Sequence, residues 1–151
     1  MGDFLSVATT LEVTQTDPLD PFSVTQVTRT LTKDEFGTNG TWTITTDPIA
    51  RRVTVVDPVG VTTVDHYDAA GRVTLTDLPD GLADVVMSYD NDGRMVSHTV
   101  GNQSANLQYD ADGDLVRVEL GDGTAREHAH DAAGRLTSIL IDGASTSYTH
   151  D

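Results

Sequence analysis

Tyr67-Asp68-Ala69-Ala70-Gly71-Arg72-Val73 is followed along the chain by three variants of itself. They are Tyr89-Asp90-Asn91-Asp92-Gly93-Arg94-Met95, Tyr109-Asp110-Ala111-Asp112-Gly113-Asp114-Leu115 and His130-Asp131-Ala132-Ala133-Gly134-Arg135-Leu136. A fifth copy begins at His150-Asp151, and successive copies start 22, 20, 21 and 20 residues apart. A fixed period in this range marks a repeat architecture, in which one small unit is stacked many times.

Each period reads as strand, turn, strand, turn. The Asp-x-x-Gly stretch is one turn: Asp hydrogen-bonds backbone amides two residues on, and Gly takes positive φ without steric cost. A type I turn closed by a left-handed Gly bulge is the expected geometry. A second turn falls mid-period, at Asp57-Pro58-Val59-Gly60, Asp77-Leu78-Pro79-Asp80-Gly81, Gly121-Asp122-Gly123 and Asp142-Gly143. The runs between them, such as Val73-Thr74-Leu75-Thr76 and Val85-Val86-Met87-Ser88-Tyr89, are rich in β-branched and aromatic residues. No window sustains helical periodicity. The expected fold is therefore all-β, built of antiparallel hairpin repeats in a curved, spiralling sheet.

Residues 1–151 read as a single repeat array and as a piece of a longer one. Clear repeats cover 65–151, and 40–64 hold a worn copy in which Thr46 takes the aromatic place and Arg51 the glycine place. Asn39-Gly40 has the composition of a two-residue hairpin turn. Residues 1–39 read as a decayed repeat or a connecting β segment, with an alternating strand from Phe22 to Thr32.

Composition narrows the function classes. The chain of 151 residues has a net charge of −15, with 20 Asp against 4 Glu and a single lysine, Lys33. Such a charge repels a phosphate backbone and argues against nucleic-acid partners. Asp outnumbers Glu because the acids sit in turns, where a short side chain reaches the amides; adaptation to calcium or salt is the other reading. Absence of cysteine removes disulfide and thiolate chemistry. No apolar run approaches a membrane span, and residues 1–11 do not form a signal peptide.

The Tyr-Asp-x-x-Gly-Arg-Leu unit at this period resembles the YD repeat, also called the RHS repeat. The motif residues are Tyr67, Asp68, Gly71, Arg72, Tyr89, Asp90, Gly93, Arg94, Tyr109, Asp110, Gly113, His130, Asp131, Gly134 and Arg135. The resemblance implies secreted or surface proteins of bacteria, including polymorphic toxins and toxin-complex subunits, and also animal teneurins. In these, hairpins spiral into a hollow β-shell that, in the toxins, encloses a C-terminal effector. Neither an effector nor the family's autoproteolytic core is recognisable here. Asp57-Pro58-Val59-Gly60-Val61 resembles the stretch near that cleavage point but aligns with an ordinary mid-repeat turn.

Repeats place equivalent residues in columns. One column holds Tyr67, Tyr89, Tyr109, His130 and His150. Two residues earlier on the same strand face stand Asp65, Met87, Leu107, His128 and Tyr148. The Arg column (Arg72, Arg94, Arg135) flanks the Asp column (Asp68, Asp90, Asp131), and Asp114 interrupts it. Two metal constellations follow. His128, His130 and His150 could meet around zinc, although His130 and His150 also simply replace the motif tyrosine. Asp110, Asp112 and Asp114 alternate as in calcium loops, but Gly113 falls where an EF-hand has none, and no bidentate Glu follows. No cofactor and no catalytic spacing are recognisable.

The expected role is a wall segment of a secreted or cell-surface shell. Its partners would be further YD repeats of the parent chain and an enclosed effector. The alternative is an adhesion module binding carbohydrate or a cell-surface protein. An excised sheet exposes strand edges that template association, so the isolated chain should self-associate or be marginally stable. Sedimentation showing a concentration-independent monomer, with a cooperative melt, would count against that expectation.

Overall fold

A computed structural model of the chain describes residues 6–20, 22–35 and 38–150. Those residues form thirteen strands and no helix, and two compact units divide at Ala83/Asp84. In the first unit the strands are β1 (Ser6–Gln15), β2 (Val24–Glu35), β3 (Thr38–Asp47), β4 (Arg52–Val56), β5 (Thr62–Tyr67) and β6 (Val73–Asp77). In the second they are β7 (Val85–Tyr89), β8 (Met95–Val100), β9 (Gln103–Tyr109), β10 (Leu115–Leu120), β11 (Ala125–His130), β12 (Leu136–Ile141) and β13 (Ala144–Ser147). Within each unit, consecutive strands pair antiparallel as a meander. The all-β hairpin repeat expected from the periodicity is the fold observed.

One local reading changes. Asn39-Gly40 is not a turn: both residues lie inside β3, paired with Asp34 and Lys33 of β2. The length of that ladder overrides the dipeptide's turn preference. Residues 6–15, in the stretch read as a decayed repeat or a connecting β segment, form a ten-residue strand against β2. In the worn copy Arg51 takes the glycine's left-handed place with φ of 51°, but it lies four residues after Asp47 instead of three, so the turn is one residue longer and the ladder shows no bulge. Asp47 Oδ1 accepts from the Ile49 and Ala50 amides.

The two turn classes of the sequence reading partly merge. Asp57–Val61 has the bonds of the motif turn: the Gly60 N–H donates to Asp57 O (3.0 Å) and the Asp57 N–H to Val61 O (2.9 Å). Asp57 Oδ1 accepts from the Val59 and Val61 amides. Leu120–Thr124 repeats the backbone pattern, with Leu120 in the Asp place. Two-residue turns close two other hairpins. Asp142 and Gly143 both have positive φ, as a type I′ turn requires. Gly101-Asn102, which the sequence reading passed over, links Val100 to Gln103.

Alternation gives the second unit two unlike faces. Met87, Leu107 and His128 sit opposite His98, Val118 and Ile139, while Tyr89, Tyr109 and His130 sit opposite Met95, Leu115 and Leu136. The other face carries Ser88, Ser97, Gln108, Arg117, Glu119 and Glu127. There Ser88 and Ser97 hydroxyls bond at 2.6 Å, and Arg117 bridges Glu119 and Glu127. No described side chain, on either face, is fully buried. A buried Leu or Val would contribute about 1.5–3 kcal/mol, so hydrogen-bonded ladders and turn locks carry an unusual share of the stability.

Gly71 has φ of +79°, and a Cβ there would meet nothing within 4 Å. Replacing Gly71 with Ala should therefore act through backbone strain alone. The expected loss is ~1–2 kcal/mol, read as a lower melting midpoint with an unchanged far-ultraviolet dichroism spectrum.

Candidate functional site

The motif aspartate fastens its turn at three points. Asp68 Oδ1 accepts from the Ala70 (2.8 Å) and Arg72 (3.0 Å) amides, and Oδ2 accepts from Arg72 Nε at 2.7 Å. Asp90 does the same with Asp92, Arg94 and Arg94 Nε at 3.0, 2.9 and 2.8 Å. Asp131 repeats it with Ala133, Arg135 and Arg135 Nε at 2.9, 3.0 and 2.8 Å. The Gly N–H closes the turn onto the Asp carbonyl, and the strand resumes after a one-residue register shift. The flanking Arg and Asp columns are thus bonded to each other within each of these three turns.

Two members of the aromatic column, Tyr109 and His150, are tied to the repeat before them. Tyr109 Oη donates to the Met95 carbonyl at 2.9 Å, and the Arg94 guanidinium lies 4.9 Å from the Tyr109 ring centre, within cation–π range. His150 reproduces the tyrosine's bond: its Nε2 lies 2.7 Å from the Leu136 carbonyl. A carbonyl only accepts, so Nε2 carries the hydrogen. Histidine substitutes for tyrosine here because each offers a donor at the end of a flat ring.

One turn departs from the pattern. Asp110 Oδ1 accepts from the Asp112 and Asp114 amides at 3.0 and 2.9 Å, but Asp114 stands where the other three have arginine. Ligand atoms of Asp110, Asp114 and His130 lie within 4.8 Å of one another. It is the single such group of three among the described residues. It draws one member from the predicted histidine set and two from the predicted aspartate set. Asp112 stays outside it, as do His128 and His150, the latter engaged with Leu136. The Nδ1 atoms of His128 and His130 are buried with no hydrogen-bond partner. The signal for this grouping was present in the sequence as two adjacent departures, Arg to Asp at 114 and Tyr to His at 130. It becomes visible only once the arginine of one repeat is known to face the aromatic of the next.

The turn bonds leave an electrostatic signature. The Arg135 amide and guanidinium bring the Asp131 carboxyl down from 3.8 to about 2. Asp68 is lowered chiefly by the Arg72 amide, and Asp122 by the Thr124 amide and hydroxyl. At Asp90 partial desolvation opposes the shift, but the Arg94 side chain and amide outweigh it and hold the carboxyl below its ordinary value. Depressed folded-state values mean that the unfolded chain binds more protons as pH falls. This stability is present above about pH 4 and is lost between about pH 4 and pH 2. Thermal melts across that window should show a falling midpoint, and Asp131→Asn should flatten part of the dependence.

Comparison with known proteins agrees with this geometry. No curated protein matches the chain. The RHS repeat family model matches residues 67–105 and 109–144, the stretches that contain the four clear turns. The RHS repeat is a structural repeat, and its matched stretches run from Tyr67 at the end of β5 to Ala144 at the start of β13 and hold the four Asp-locked turns. Periodicity, hairpin geometry and family match coincide, and the chain belongs to the RHS-repeat, or YD-repeat, family.

Proposed function

We propose that this chain is a wall segment of a secreted or cell-surface hollow shell that encloses a toxin or effector domain. The observation that carries this reading is that, among the described residues of these hairpins, no side chain is fully buried. One face of the second unit is lined by Met87, Leu107, Leu115, Val118, Leu136 and Ile139. Apolar surface of that kind gains by being covered, and an enclosed polypeptide would cover it. The opposite face, with Arg117 between Glu119 and Glu127, suits water. Further repeats of a parent chain would satisfy unpaired strand edges in the same way that each hairpin satisfies its neighbour.

On this reading the chain itself catalyses nothing. Its motif aspartates fasten their turns, and Tyr109 and His150 tie one repeat to the one before. The strong negative charge keeps the wall soluble and repels nucleic acid.

The test is protease protection in the full-length parent protein, alongside glycan-array binding by the 151-residue chain. An enclosed effector should survive protease until denaturant opens the wall, and the chain should show no selective glycan binding. Cleavage of the effector at the rate of the free domain, or clear glycan selectivity, would sink the wall reading in favour of an adhesion module.

A further inference from the structure

We propose that Asp110, Asp114 and His130 form a binding site for a divalent transition-metal cation of the zinc type. The argument starts from the three ordinary turns. There the aspartate Oδ2 is neutralised by an arginine at 2.7 to 2.8 Å. In the turn at Asp110 that arginine is replaced by Asp114, so a cation is lost and a second anion gained at one place. Asp110 Oδ1 is still held by two amides, which orients the carboxylate and leaves Oδ2 to bind. Among the described residues, no side chain donates to either carboxylate.

The next repeat changes in step. Arg94 lies over the ring of Tyr109; at the equivalent places one repeat on stand Asp114 and His130. A cation and an aromatic face have been exchanged for a carboxylate and an imidazole. The substituted pair and Asp110 converge, with ligand atoms within 4.8 Å of one another. The His130 Nδ1 is buried and unpartnered, so this ring is not a satisfied structural histidine.

Donor chemistry selects the ion. Zn²⁺ bonds of ~2.0–2.2 Å put neighbouring ligand atoms about 3.4 Å apart, which small side-chain rotations reach from the spacing seen. One imidazole nitrogen with two carboxylates suits Zn²⁺, whereas Ca²⁺ and Mg²⁺ take oxygen ligands alone. Three protein ligands leave room for water or for a group from another chain. The cation would do in this turn what arginine does in the others, tying one repeat to the next.

Zn²⁺ itself is the probe. Equilibrium dialysis should find one saturable Zn²⁺ bound through this site per chain, undisturbed by excess Ca²⁺, and Zn²⁺ should raise the melting midpoint. The double variant D114R/H130Y restores the ordinary motif, so it should fold at least as well and bind Zn²⁺ at least about 10-fold more weakly. It keeps His66, His98, His128 and His150, which control for adventitious binding. On the unaltered chain, Zn²⁺ should shift the His130 imidazole resonances and leave those of His98 in place. Equal binding by the double variant, resonance shifts centred on other histidines, or no saturable binding at all would overturn the site.

Discussion

A carboxylate that binds the two ends of its own turn is the constraint on which the rest of this structure depends. Asp68, Asp90, Asp110 and Asp131 each gather two backbone amides on one oxygen, at 2.8 to 3.0 Å. The left-handed glycine three residues on then sends the chain back with a one-residue bulge. That bulge fixes which side chains face which way in the returning strand, because a slip of one residue reverses every face. Tyr109 opposite Leu115, and Gln108 opposite Arg117, is the result. Faces, columns and ties between repeats all follow from the lock.

The lock matters more here than in a two-layer protein. A sandwich or a helix-covered sheet tolerates an imperfect turn because its core holds the strands together. Here no described side chain is fully buried, so local bonds within each hairpin have to hold what a core would otherwise hold. The arginine on the second carboxylate oxygen extends that local economy. It satisfies the aspartate and, at Arg94, also covers the ring of the next tyrosine. With no deep core among the described residues, neighbouring repeats are joined through the same residues that form their turns. The turn at Asp110 shows the limit of that arrangement: remove the arginine and two anions are left needing a counter-charge.

Much of this was legible beforehand, for a physical reason. Turn chemistry is local, and Asp-x-x-Gly at a fixed period states both the turn and its spacing without reference to anything distant. Even the worn copy was readable, with Arg51 in the place of glycine and at positive φ. Where a longer-range ladder competes with local preference, the reading failed. Asn39-Gly40 is a favourable turn pair, yet nine paired positions between β2 and β3 carry it through as strand. Gly101-Asn102 was missed for the opposite reason: a short turn with no aspartate to announce it.

The site divides along the same line. From residues alone, histidines could be grouped with histidines and aspartates with aspartates, because sequence spacing relates a residue to its own strand and turn. The grouping that forms, Asp110 and Asp114 with His130, crosses from one turn to the following strand. Period, turn type, hairpin order and family membership were set by residues close together in the chain, since each is a property of a segment a few residues long. Which side chains meet across neighbouring hairpins, and how little of the sheet is covered, was decided only in three dimensions. Both depend on register, which bulges and paired edges establish together and no single segment contains.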